Sequence, residues 1–426
     1  MFCSIIENGA QLTAWMKSHT GLYDFVKALQ DIHEETDYRF YIVGGFVRDW
    51  VLGGHSMDLD IAVEGDIRKV MASLSESCEL EYTYYERFKT ATFILTEGTV
   101  DLVTCRSESY SFDGALPTVF SGNIEDDLAR RDFSVNALAI DLCQEPWKIC
   151  GLDASVSDLE RKTIRVLHNR SFQEDPTRLF RAVRYKNRLG FTYEAVTLDL
   201  IHQAVEKGYL RNISADRILQ ELSKILKEGK SFDILEDLVA LGIDKWILPD
   251  LQLPQVLKRA LKNMEGLELT FIEDTESFDP VELRMLTILY YNTDRAWRFV
   301  ERFRLSRRFA NMIEDLTTLV DQVKSIQSSI QNAEVYHLLH KVPDEVLFVL
   351  YLCTDHMLVK NIIERYYIKL KDQKNVISGN DLKELGVSSG PQMRTLLSKV
   401  FKGLLNGEIN DRTEALEYLN RYIEKD

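Results

Sequence analysis

The sequence predicts an α+β fold: a small mixed unit of strands and helices, then an all-helical remainder. Two observations carry this. Over the first 145 residues, short runs rich in β-branched and aromatic residues alternate with helical stretches. From about Asp158 onward apolar residues recur at helical spacing, and alternating Val and Ile runs become rare.

In chain order, the predicted strands are YRFYIVGG (38–45), DLDIAVEG (58–65), ELEYTYYE (79–86), TATFIL (90–95) and TVDLVT (99–104), each bounded by Gly, Asp, Glu or Thr. Helical patterns fall at 46–52 and 67–74 between the earlier ones. Later helices are read from LFRAVRYKNRL, RILQELSKILKEG and DILEDLVALGI. A chain of 426 residues exceeds one ordinary domain. Turn signals near Pro146, Gly229 and Ser325 divide it into 1–145, 146–229, 230–325 and 326–426.

Hydrophobic residues at 45% and charged residues at 28% exclude an intrinsically disordered chain. Six scattered cysteines without a CxxC pair match neither a disulfide framework nor a zinc site, so a reducing cytoplasm is expected. No leader pattern opens the chain and no window approaches 18 uninterrupted apolar residues, so no membrane partner is expected. A net charge of −15 would repel a polyanion unless positive charge is gathered locally. Residues 158–230 hold 15 Lys and Arg against 10 Asp and Glu, compatible with RNA binding and equally with solvated helix faces.

Three clusters carry chemistry. In YIVGGFVRDWVLGGHSMDLDIAVEG a strand enters Gly44 and Gly45, where backbone without Cβ can approach a phosphate, and a short helix with Arg48 and Asp49 follows. Asp58 and Asp60, one residue apart on a strand, point their carboxylates to one face, an oxygen pair that suits Mg²⁺, with Asp101 a candidate third carboxylate. In DDLARRDFSVNALAI, Arg130 and Arg131 offer forked donors to a triphosphate, and Asp132 and Asn136, four apart on one helical face, could hold a ribose. Surface ion pairs at a helix terminus are the other reading. In FQEDPTRLFRAVRYKNRLGF, Asp175 reads as an N-cap with Pro176 at the first helical position, which puts Arg178 at the third. That pair makes an acceptor-donor edge matching cytosine and adenine but not uracil and guanine, or else is a capped helix with an internal salt bridge.

Together, GGFVRD, DLD, RRDFSVNALA and EDPTRLFRAVRY stand in the order and spacing of the class II tRNA nucleotidyltransferases, the CCA-adding enzymes, to which bacterial poly(A) polymerases are closely related. The chain resembles that family over most of its first 230 residues, and weakly in ISGNDLKELGVSSGP. The resemblance implies a polymerase-beta-like head (1–145), then helical neck (146–229), body (230–325) and tail (326–426) that hold the tRNA acceptor arm. It implies that Asp58 and Asp60 bind catalytic metal, that Arg131, Asp132 and Asn136 contact the triphosphate and ribose, and that Asp175 and Arg178 stand in for a nucleic-acid template. Gly44, Gly45, Arg48 and Arg181 join the candidate nucleotide contacts. The chain departs from the family at CGLDASVSDL, where a Gly-Gly turn is usual before the neck, and at GPQMR, where Arg394 replaces a usual glycine.

The implied reaction adds CMP and AMP from CTP and ATP to the tRNA 3′ end. Partial activity (A-adding or CC-adding), poly(A) synthesis and a catalytically inactive RNA-binding module are the rivals. The segment 106–122, marked by Gly114, Pro117 and Gly122, is expected to be a mobile surface loop rather than a strand, with Arg106 and Glu108 levering the template pair, which favours a product that includes A. In DRAWRFVERFRLSRRF, Arg295, Arg298, Arg302, Arg307 and Arg308 are candidate RNA contacts and the aromatics are expected in the core. HD-type phosphohydrolase signatures are missing from the C-terminal half, so no second catalytic domain is expected.

Overall fold

A computed structural model describes residues 2–5, 9–54, 59–78, 80–86, 89–143, 145, 147–264, 271–272, 275–326 and 330–423. They form two units, 1–222 with 237–246, and 223–236 with 247–426.

The first unit is built on an eight-stranded mixed sheet. Its strands are β1 (Phe2–Ile5), β2 (Arg39–Val43), β3 (Leu59–Glu64), β4 (Tyr82–Tyr85), β5 (Thr90–Ile94), β6 (Thr99–Thr104), β9 (Leu138–Asp141) and β10 (Lys148–Gly151), while β7 (Arg106–Ser109) and β8 (Thr118–Ser121) pair with each other outside it. The order is β1-β10-β9-β2-β3-β6-β5-β4, and only β3 and β6 run parallel. The sheet thus runs on to Gly151, past the change of pattern at residue 145. Five strands predicted from β-branched and aromatic runs are present; β1, β9 and β10 were not predicted, and LAID in β9 is a short apolar run without alternation.

Period-two alternation gives the sheet two faces. Phe40, Ile42, Ile61, Val63, Leu102 and Phe93 are buried on one face, beneath helices α1 (Gly9–Ser18), α2 (Thr20–Thr36) and α4 (Ile67–Cys78), with the Phe25 and Phe93 rings edge to face at 5.2 Å. The α3 helix (Gly45–Val51) follows β2 directly. Tyr41, Val43, Ala62 and Ala139 form a second core on the opposite face with Ile124 and Leu128 of α5 (Ile124–Ala129). Asp60 and Asp101 continue the rows of that second face, paired in register across β3 and β6.

The helical part of this unit begins with α6 (Ser155–Glu160). It is pinned beneath residues 134–137, because Ser155 Oγ donates to the Ala137 carbonyl (3.2 Å) and the buried Asp158 accepts from Ser134 Oγ (2.6 Å) and Arg165 Nε (2.9 Å). There follow α7 (Ser171–Glu174), α8 (Arg178–Leu189), α9 (Ala195–Lys207) and α10 (Ala215–Leu226). Gly190, at φ 68°, ends α8 in the left-handed region that favours glycine.

The second unit is helical throughout its described residues. Helix Pro280–Tyr290 packs against Gln255–Asn263, Thr293–Phe303, Arg307–Lys324 and Asp344–Cys353. A separate small core near the C-terminus gathers Ile377, Leu382, Val400, Ile409 and Leu419.

Cys150 on β10 is disulfide-bonded. This corrects the reading of the cysteines as unlinked. Cys105, Cys143 and Cys353 are free. No helix of the described residues is long and apolar enough to cross a membrane.

Candidate nucleotide site

A cavity of about 490 Å³ opens in the first unit, where the second face of the sheet meets α8. Five arginines and four carboxylates line it: Arg106, Arg130, Arg131, Arg178 and Arg181, with Asp60, Glu108, Asp132 and Asp175.

Its floor is the turn after β2. Gly44 sits at φ 80°, and a Cβ there would stand 3.2 Å from Arg131 Nη1 and 3.4 Å from Asp60 Oδ2. Glycine at this position is what lets a guanidinium and a carboxylate converge over the backbone. Gly45 lines the cavity too; Arg48 does not. Arg48 is 2% exposed, its guanidinium forked onto Asp49 (2.8 and 2.9 Å) and donating to Asn136 Oδ1 (2.7 Å), so it holds Asn136 from outside the cavity lining. Asp60 is exposed on the cavity floor; Asp101, its register partner, accepts from Thr92 Oγ1 (2.5 Å) and lies outside the lining. Asp58 lies outside the described residues.

The anion-binding side is organised by a residue that the sequence reading passed over. Asp127 on α5 has a fully buried carboxylate that receives Arg130 Nη2 (2.5 Å) on one oxygen and Arg131 Nη2 (2.9 Å) on the other. Burial alone would raise this carboxyl; the Arg131 and Arg130 charges outweigh it and hold it below the ordinary carboxylate value. The Arg131 Nε is buried with no hydrogen-bond partner among the described residues. Spacing of three and four along α5 and its C-terminal turn was the available signal.

Asp132 and Asn136 meet, though not on one helix: α5 ends at Ala129, and Asn136 closes a short 3-10 turn, Ser134–Asn136. Asn136 Nδ2 donates to Asp132 Oδ1 (2.9 Å), while Arg181 forks onto Asp132 Oδ2 (2.8 and 2.5 Å). Burial opposes the charged form of both, and the pairing prevails, lowering Asp132 and raising Arg181.

Helix α8 supplies the opposite wall. Arg178, Arg181 and Tyr185, at spacings of three and four, line the cavity, while Leu179, Phe180, Ala182 and Val183 are buried. Arg178 is the first helical residue rather than the third, since Pro176 and Thr177 form a turn ahead of the helix. Asp175 caps that turn by accepting from the Thr177 N–H (3.0 Å) and Oγ1 (2.6 Å). Arg217 on α10, absent from the candidate residues, also donates to Asp175 Oδ1 (2.8 Å) and to the Gly114 carbonyl (3.0 Å). Every side-chain hydrogen bond and ion pair of Asp175 among the described residues falls on Oδ1, which leaves Oδ2 as an acceptor. Arg178 Nη1 donates to Ser171 Oγ (2.7 Å) and Nη2 to the Arg130 carbonyl (2.8 Å); two of its five N–H groups are thereby used. Tyr110, unpredicted, completes the lining, its hydroxyl on Glu108 (2.8 Å).

Segment 106–122 is not a plain loop. Its ends are β7 and β8, paired antiparallel from Arg106↔Ser121 to Ser109↔Thr118. Ladder hydrogen bonds outweigh the Gly and Pro signals, which mark only the connection. Arg106 Nε donates to Glu108 (3.1 Å), and Arg130 reaches the same carboxylate (3.2 Å), so the pair is built into the cavity wall.

The candidate RNA-contacting arginines lie in the second unit. Arg298, Arg302 and Arg307 are exposed and make no ion pair among the described residues; Arg295 pairs with Asp294 (3.5 Å), and Arg308 with Glu282 (2.5 Å) and Glu345. Phe303 and Phe309 are core, but Trp297 is 52% exposed, contrary to expectation.

Residues 40–165 match the poly A polymerase head domain, 190–253 a probable RNA and SrmB-binding site of polymerase A, and 282–419 a putative tRNA nucleotidyltransferase domain 2. The chain is 33% identical over 405 residues to an A-adding tRNA nucleotidyltransferase of Geobacter sulfurreducens, covering 92% of this chain but only 46% of that protein. It is 28% identical over 422 residues to an A-adding tRNA nucleotidyltransferase of Halalkalibacterium halodurans, covering 96% and 95%. An apo CCA-adding enzyme structure superposes with a TM-score of 0.82 at 26% identity over 99% of this chain and all of the other. A Thermotoga maritima CCA-adding enzyme complexed with tRNA gives 0.70 at 27% over 94% and 95%.

Proposed function

The chain belongs to the class II tRNA nucleotidyltransferase family, and from that membership we propose that it adds nucleotides to the 3′ end of tRNA from ATP and CTP, without a nucleic-acid template. One observation carries the reading. A single cavity brings together a floor carboxylate, paired guanidiniums for a triphosphate, and an unfilled acceptor-donor edge.

In the proposed reaction the terminal 3′ oxygen of the RNA bonds to the α-phosphorus, the bond from that phosphorus to the bridging oxygen breaks, and pyrophosphate leaves with the hydroxyl proton released. Arg130 and Arg131 receive the triphosphate, already oriented by Asp127, so that little reorganisation accompanies binding. Asn136 and Asp132 offer an amide and a carboxylate to the ribose. Asp175 Oδ2 accepts from the exocyclic amine of cytosine or adenine, and Arg178 donates to the neighbouring ring nitrogen. Uracil and guanine would face like against like, and buried unmatched polar groups discriminate strongly. Nucleotidyltransferases of this family use a divalent cation. We assign Mg²⁺ to Asp60, with Asp101 in register beside it on the same sheet face and Asp58 added from its place in the sequence motif, because carboxylate oxygens suit a hard cation. Bound there, it would supply charge stabilisation at the α-phosphate. Residues 1–145 with the last sheet strand would house this chemistry, 146–229 the base reading, and 230–325 and 326–426 would hold the RNA, in the cytoplasm.

Two named relatives are A-adding and the solved structures CCA-adding, which supports a product that includes A, either the full CCA or A alone. Transcripts ending before the CCA, after C and after CC, each given CTP, ATP or both, decide it. Extension of the CC-ended transcript with ATP is expected; a product that stops at CC with ATP present would refute the A-addition step.

A further inference from the structure

We infer that a second cavity, formed by the β7–β8 hairpin, holds the 3′-terminal nucleoside of the acceptor RNA by stacking on Phe120; this rests on the function proposed above. The cavity measures about 250 Å³, and Arg106 and Pro117 line both it and the nucleotide cavity, so the two share a wall. Transfer requires a second substrate whose terminal hydroxyl reaches the α-phosphate, and a site adjoining the first is where that end must lie.

The chemistry of the pocket fits a nucleoside. Leu116, Val119 and Phe120 line this cavity and are 65%, 45% and 53% exposed, an unusual amount of bare apolar surface beside a charged cavity. Lys89 on its rim makes no ion pair among the described residues, and its backbone is held at φ 48° with its carbonyl accepting from Thr104 N–H (3.3 Å). An aromatic ring beside a cation is the arrangement that binds single-stranded nucleic acid, the base on the ring and the phosphate on the cation. Among the described residues no carboxylate or amide side chain lines the pocket, and an aromatic ring stacks on any base whatever its hydrogen-bonding edge. That tolerance is what stepwise addition demands, since the terminal base changes after each transfer.

The test uses the full chain and a tRNA transcript that stops after the second CCA position with 2-aminopurine in place of its terminal cytosine, without nucleotide, so that quenching reports stacking. Wild type should quench the probe, Phe120→Tyr should retain the quench, and Phe120→Ala should lose it. In turnover, Phe120→Ala should raise KM for RNA on the order of 5- to 100-fold, the range of one lost base stack, with KM for ATP unmoved. A Phe120→Ala enzyme with wild-type quench and RNA KM, or one in which KM for ATP rises equally, overturns the inference while leaving the proposed function standing. A wild type that extends no RNA overturns both.

Discussion

Replacing Asp127 by Asn keeps the shape of the side chain and removes the charge that holds Arg130 and Arg131. Breaking a buried ion pair costs about 3–5 kcal/mol. The two guanidiniums are 20% and 15% exposed, and Asn can still accept a hydrogen bond, so the loss should fall near the lower end, about 3 kcal/mol. For a unit of this size that is roughly 6–12 °C of melting temperature. The same change frees the triphosphate-facing side chains, and KM for ATP should rise on the order of tenfold, about 1.4 kcal/mol, with KM for RNA little altered. There is a pH signature as well. Burial would raise the Asp127 carboxyl, and the two arginines hold it below its ordinary value despite that. Its contribution is therefore complete above about pH 4 and lost as pH falls through the depressed folded value. Acid unfolding of wild type should include this component and that of Asp127→Asn should lack it. Differential scanning calorimetry with steady-state kinetics measures all three. A variant with wild-type melting temperature and nucleotide KM would refute the assignment of Asp127 as the anchor of the anion site.

Asp60→Ala should abolish transfer with tRNA affinity nearly intact by filter binding, because phosphate contacts elsewhere dominate affinity; retained turnover would remove Asp60 from the metal site. Arg217→Ala should release Asp175 and blur the choice between ATP and GTP more than it lowers overall rate, and a variant as selective as wild type would make Arg217 merely structural. Changing Arg298, Arg302 and Arg307 to Gln should flatten the salt dependence of tRNA affinity by about 0.7–0.9 in log-log slope for each arginine that meets phosphate; an unchanged slope would count against that surface.

The core strands and helices were legible because burial imposes periods of two and 3.6 on the residues that form them. Asp60, Arg131 and Asn136 were legible because their motifs are contiguous. Asp127 and Arg217 were not, since each acts by supporting another residue: Asp127 looks like one acid in an acidic helix, and Arg217 lies 42 residues beyond the Asp175 it holds. The place of Arg48 was not legible because a motif arginine beside a glycine turn looks alike whether it lines a cavity or, as here, bonds Asn136. The hairpin at 106–122 was missed because RSES and TVFS are too short and too polar for strand signals, and only their mutual pairing makes them strands.

The central claim is that protein groups, Asp175 and Arg178, choose the base. Its most direct test is kcat/KM for each of the four ribonucleoside triphosphates on a tRNA transcript ending in CC, in wild type and in Arg178→Ala. Circular dichroism would confirm that the variant keeps its fold, since Arg178 also bonds Ser171 and the Arg130 carbonyl. Wild type should prefer ATP over GTP and UTP by orders of magnitude, and folded Arg178→Ala should lose most of that preference while retaining measurable transfer. A folded Arg178→Ala enzyme with undiminished preference for ATP would contradict the account and leave the pair as a helix cap.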